Sequence, residues 1–95
     1  MALLDDVRQA MRIRTEAFDT ELQIYIDACI YDLKRLNIEF NEKEPDAEIK
    51  TAIILYVKAH FGTADASFKE SMNLTYNDIV DRLRMDSSKK RVVID

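Results

Sequence analysis

The sequence predicts an all-α fold: a single small domain of about four helices with a flexible C-terminal tail. Three observations carry this. Strong helix formers dominate the chain, and its apolar residues recur three and four positions apart rather than at every second position. The two residues that interrupt helices occur once each, as Gly62 and Pro45. With 95 residues and so little linker material, one body is expected over 1–84 and a tail over 85–95.

The first helix is expected over residues 3–12, with Leu3, Leu4, Val7 and Met11 on one side. Residues 13–18 turn the chain, and Asp19 is placed to act as the N-cap of a second helix, with Glu21 in its first turn. Leu22, Ile26, Cys29, Leu33 and Leu36 then step by four, three, four and three, the spacing of a face packed on neighbours. This helix is expected to run to about Asn37. Pro45 followed by Asp46 gives a stop and a fresh N-cap, so a third helix follows over 47–61, ending at Gly62. Ile49, Ala52, Ile53, Tyr56 and His60 mark one of its faces, while Ile54, Leu55, Val57 and Phe61 cover much of the rest. A helix apolar nearly all round belongs at the centre of a fold. After Gly62, the box Ser67-Phe68-Lys69-Glu70 predicts the start of a fourth helix that carries Met72, Tyr76, Ile79, Val80 and Leu83 inward to about Leu83. A second capping signal at Thr75 to Asp78 predicts a possible break near Asn73.

Composition excludes several functions. The net charge of −4 argues against a surface built to neutralise many phosphates, so tight general binding of duplex DNA is not expected. A single cysteine, Cys29, forms no intramolecular disulfide and favours a reducing compartment. The opening residues are acidic where a signal peptide needs a basic start, and no apolar run reaches the roughly 18 to 20 residues that span a bilayer. A protein without membrane attachment, made in the cytoplasm, is the expectation.

No catalytic, cofactor-binding or metal-ligating set stands out. One glycine rules out a glycine-rich phosphate loop, and there is neither a pair of close cysteines nor a helical pair of histidines. Cys29 and His60 could form a nucleophile pair, but both fall on core stripes, where a buried thiol and a satisfied histidine are the simpler reading. Asp5 with Asp6, Asp27 with Asp32, and Asp78 with Asp81 could be paired as acids and bases, yet such work needs a cleft that separates their pKa values. Solvated helix surface is the plainer account of all six. The acidic run Glu39, Glu42, Glu44, Asp46 and Glu48 reads first as solvated surface as well.

One feature is less ordinary. Ile24, Ala28 and Tyr31 lie at roughly 180° to 240° around the second helix from Leu22, facing away from its core stripe. They either pack on the first or terminal helix or form a contact between subunits. In the tail, three cations, Lys89, Lys90 and Arg91, precede the β-prone Val92, Val93 and Ile94. That segment is too short to order alone and is suited to adding a strand to a partner's sheet edge, against the plainer reading of a trailing end.

Taken together, Leu4-Asp5-Asp6-Val7-Arg8 with Met11-Arg12-Ile13, the acidic start Asp19-Thr20-Glu21-Leu22 leading to Ile26-Asp27-Ala28 and Asp32-Leu33, and above all Ile49-Lys50-Thr51-Ala52-Ile53-Ile54-Leu55-Tyr56-Val57-Lys58-Ala59-His60-Phe61-Gly62 resemble the head-tail connector family of tailed bacteriophages. The resemblance runs from about Leu3 to Leu83. It implies a virion protein without enzymatic activity that serves as a head-completion or DNA-packaging adaptor. By the resemblance its partners are the portal of the DNA-filled head, a tail-proximal stopper protein, and itself in a ring of about a dozen copies. DNA would pass through the ring without tight binding, which the net negative charge suits. Two other classes stay open. A small helical regulatory or DNA-associated protein would need a basic recognition helix, and the fourth helix balances Arg82 and Arg84 with Asp78 and Asp81. A cryptic thiol enzyme would need a reactive Cys29.

Overall fold

The computed structural model describes residues 3–85, and they form an all-α body. In chain order the helices are α1 (Leu3–Ala10), α2 (Asp19–Arg35), α3 (Ala47–His60) and α4 (Ala66–Met85). The expected docking residues Lys89 to Ile94 lie outside the described residues.

The central position expected for the third helix is the one α3 takes. It packs on each of the other three helices, and α1 packs on α2 as well. Ile49, Ala52, Ile53 and Val57 are fully buried along it. Around them sit Val7 from α1, Leu22, Ile26, Cys29 and Leu33 from α2, and Tyr76, Ile79, Val80 and Leu83 from α4. Ile54, Leu55 and Tyr56 on the remaining sides of α3 are partly buried against the same cluster. The salt bridge from Lys50 Nζ to Asp6 Oδ2, 2.8 Å, ties α3 to α1.

The helix ends depart from expectation in ways that local hydrogen bonding explains. α1 stops at Ala10 because Arg12 turns left-handed at φ +59°; its N–H donates to the Gln9 carbonyl and that of Ile13 to the Arg8 carbonyl, at 3.1 and 3.0 Å. This paired closure is the Schellman motif, normally led by glycine. It recurs at the end of α2, where Asn37 has φ +62° and the Ile38 N–H donates to the Leu33 carbonyl at 3.1 Å. Ile38 is thereby laid into the core beside Leu33.

Asp19 is not the cap of α2. Phe18 holds that position without a side-chain bond, and Asp19 is the first helical residue. Its Oδ1 instead lies 3.0 Å from Arg8 Nε of α1, close enough for a charge pair though off the hydrogen-bonding angle. Asp46 caps α3 as expected, its Oδ1 accepting from the Ile49 N–H at 3.0 Å. Gly62 takes φ +83° just beyond α3. The Ser67 capping box is replaced by Asp65, whose carboxylate accepts from the Phe68 N–H at 2.8 Å, so α4 starts at Ala66. Nor does α4 break near Asn73. Thr75 Oγ1 donates back to the Ser71 carbonyl at 3.0 Å, spending its hydroxyl inside the helix rather than on a cap.

Truncating one of the fully buried side chains of α3 tests this arrangement. Ile53→Ala should lower stability by about 2 to 4 kcal/mol through lost burial and the cavity left behind. A thermal melt within a degree or two of the parent would show that α3 is not the centre.

Candidate functional site

Within the body, chemistry-bearing side chains gather at one place, between α2 and α4. Tyr76, four per cent exposed, donates its hydroxyl to Asp32 Oδ2 at 2.9 Å, and the Cys29 thiol donates to the Tyr76 oxygen at 3.7 Å. Asp32 also accepts from Arg35 Nη2 at 2.8 Å, and the Tyr56 ring meets the Tyr76 ring edge to face with centroids 5.3 Å apart. The spacing that buries Leu22 and Leu33 on α2 brings Cys29 inward with them, and Asp32, one turn on and to the side, is left at the edge.

This cluster is built to hold protons rather than to move them. Burial, with a smaller contribution from the Asp32 charge, pushes the Cys29 thiol up to about 12, against the opposing effect of the Tyr76 hydrogen bond. Burial likewise raises the Tyr76 phenol, and the neighbouring thiol adds to that. A thiol so placed is a poor nucleophile.

The Cys29 and His60 pair considered from the sequence does not form. His60 is exposed, not on the core stripe: the α3 face that buries Ile49 and Val57 ends before it, and its Nδ1 lies 2.8 Å from the Tyr56 carbonyl of its own helix. The paired aspartates are scattered too. Asp5 bonds Arg8, Asp6 bonds Lys50, Asp27 accepts from Gln23, and Asp78 and Asp81 are exposed on α4. Among the described residues no three His, Cys, Asp or Glu side chains come together as a metal site would need. The acidic segment runs from a surface loop into the first turn of α3, and the loop is fixed by Asn41 Oδ1 accepting from the Lys43 and Glu44 N–H groups and by a salt bridge from Lys34 to Glu42.

The surface residues tell more. Ile24 is 60% and Tyr31 69% exposed, and Ala28 between them is also exposed. Neither α1 nor α4 covers them. The guanidinium of Arg35 lies over the Tyr31 ring, 5.9 Å from its centroid. A second face escaped the sequence reading: Leu74 and Met85 stand 58% and 81% exposed on the outer side of α4. The signal was available, since Leu74 falls on the side of the helix opposite the Tyr76, Ile79 and Leu83 stripe. A string of rings escaped it as well. Phe18 meets Phe61 edge to face, Phe61 meets Tyr25, and Tyr25 and Tyr56 both stack on His60.

A family model described as phage connector protein matches residues 3–90. The chain belongs to that family. No curated protein and no solved structure matches it. As a phage connector the chain is a structural component of the virion that interacts with other head or tail components. The family match takes in all four helices. Among the described residues none of those helices is long and apolar enough to cross a membrane.

Two predictions follow from this geometry. The unfolded thiol titrates at 9.0 and the folded one near 12, so between them the folded connector binds the extra proton and its stability falls as pH rises. In that window Cys29→Ala should flatten the fall by on the order of 1 kcal/mol per pH unit, read from urea midpoints; equal slopes in parent and variant would detach the thiol from folding. Replacing Ile24 and Tyr31 together by Glu should leave the helical circular dichroism signal and melting temperature nearly unchanged, because exposed sites tolerate charge. A collapsed signal would show that they are core.

Proposed function

We propose that the chain is a ring-forming adaptor at the head-tail junction, seated between the portal of the DNA-filled head and the tail or the next completion protein, and extending the DNA channel. The match to the phage connector protein family over residues 3–90 carries this reading. The exposed Ile24, Ala28 and Tyr31 support it as a subunit contact, because a monomer leaves them in water. A ring is closed by heterologous contacts, in which one patch of a subunit meets a different patch of the next. The copy number, about a dozen, is set by the portal rather than by this chain. A net charge of −4 suits a lumen that lets DNA slide past.

In this reading the body spans 1–84, and the tail over 85–95 docks on the portal. Lys89, Lys90 and Arg91 steer it to an acidic rim, and Val92, Val93 and Ile94 add a strand to a sheet edge there. The test is sedimentation with capsids. The parent should co-sediment with portal-bearing, DNA-filled heads and not with portal-less shells. A chain truncated after Ser88 should keep the parent's melting temperature and lose at least about tenfold in attachment. Equal recovery of parent protein with both kinds of shell would end the adaptor reading, and full attachment of the truncated chain would end the tail's part in it.

A further inference from the structure

α2 and α4 carry outward columns of matching spacing. On α2, Ala28, Tyr31 and Arg35 step by three and four; on α4, Ser71, Leu74 and Asp78 do the same. Residues so spaced share one helix face, and all six are exposed. The two columns also stand at one level. Tyr25 near the start of α2 meets Phe61 at the end of α3, and Lys69 near the start of α4 donates to the adjacent Gly62 carbonyl at 2.7 Å. Further along, Asp32 accepts from Tyr76. Both links set α2 and α4 in the same direction, and the second puts residue 32 close to the level of residue 76. By that register Leu74 and Asp78 stand within about one residue, roughly 1.5 Å, of the levels of Tyr31 and Arg35.

We propose that the α2 column of one copy packs in parallel on the α4 column of the next, Tyr31 against Leu74, Ala28 against Ser71, and Arg35 against Asp78. This inference rests on the ring reading, and three features select a second copy as the occupant. Rotation about a ring axis running along the helices carries no rise, so surfaces that meet in a closed ring must stand at one level on the subunit, and these do to within about one residue. The columns are complementary in charge: Arg35, which pairs with Asp32 through one nitrogen, has further donors to offer Asp78, a carboxylate that makes no ion pair among the described residues. They are complementary in shape as well, since the small Ala28 and Ser71 meet and let the helices approach beside the larger Tyr31 and Leu74.

Disulfide trapping between two differently marked copies tests the contact. Cys29 is buried and stays silent toward oxidant. Tyr31→Cys protein mixed with Leu74→Cys protein, concentrated in solution and on portal-bearing heads, should yield a mixed dimer, and neither protein alone should yield more than about a tenth as much. Adding Arg35→Glu to the first protein, or Asp78→Arg to the second, should cut the yield about tenfold, and adding both should restore it. No mixed dimer in either setting, dimers formed as readily by one protein alone, or charge reversals without effect would each overturn the contact. Attachment of unmodified protein to heads is read separately, so loss of the contact and loss of the adaptor role are told apart.

Discussion

The whole fold hangs on the apolar circumference of α3. A helix with Ile49, Ala52, Ile53 and Val57 fully buried and Ile54, Leu55 and Tyr56 partly buried cannot face water on any broad side, so the other helices have to surround it. A chain of this length has only enough residues for a single layer around that helix. α1, α2 and α4 therefore each contribute one inner face and keep one outer face in solvent. The exposed apolar groups on α2 and α4 are the direct consequence of building so small a body around a largely apolar centre.

Burial on α3 alone would leave α2 and α4 free to slide along it, since apolar contact is not directional. The hydrogen bond from Tyr76 to Asp32, with Cys29 behind it, removes that freedom at low cost. Its donors and acceptors are satisfied, and Asp32 also accepts from Arg35 at the edge of the core. The same burial that fixes the register pushes the thiol and phenol toward their protonated forms. Rigidity and chemical inertness at this point have one cause.

Much of this was legible in the sequence because it follows from periodicity. The stripe from Leu22 to Leu33 and the all-round apolarity of 49–57 place the core without reference to coordinates, and Asp46 after Pro45 announces the start of α3. Where the reading failed, two side chains competed for one role or a residue acted outside its usual preference. Asp19 could cap α2 or pair with Arg8, and only tertiary proximity decides for Arg8. Asp65 precedes α4 and Ser67 lies in its first turn, and the carboxylate, the stronger acceptor, takes the Phe68 N–H. Arg12 adopts a left-handed turn that propensity reserves for glycine or asparagine, so the early end of α1 carried no local mark. His60 continues the α3 periodicity, but it sits at the end of α3, where its ring stacks on Tyr25 and Tyr56 and stays open to water. Of the candidate contact residues, Ile24, Ala28 and Tyr31 were visible as an outward face, whereas Leu74 was hidden by attention to the inward stripe.

A connector's task places an unusual demand on such a body, because its working parts are surfaces whose relative position matters more than their individual chemistry. In the proposed ring, each copy presents one face backward and another forward, and any slip between them repeats at every interface until the ring fails to close. A slip of one residue along a helix turns its outer column by about 100°, enough to carry Leu74 away from Tyr31. The polar link between Asp32 and Tyr76 lies between the two outward columns and fixes their mutual level. On this argument the most demanding residues in the connector are neither on its contact faces nor in its apolar centre, but at the small hydrogen-bonded joint where the α2 and α4 registers are set against each other.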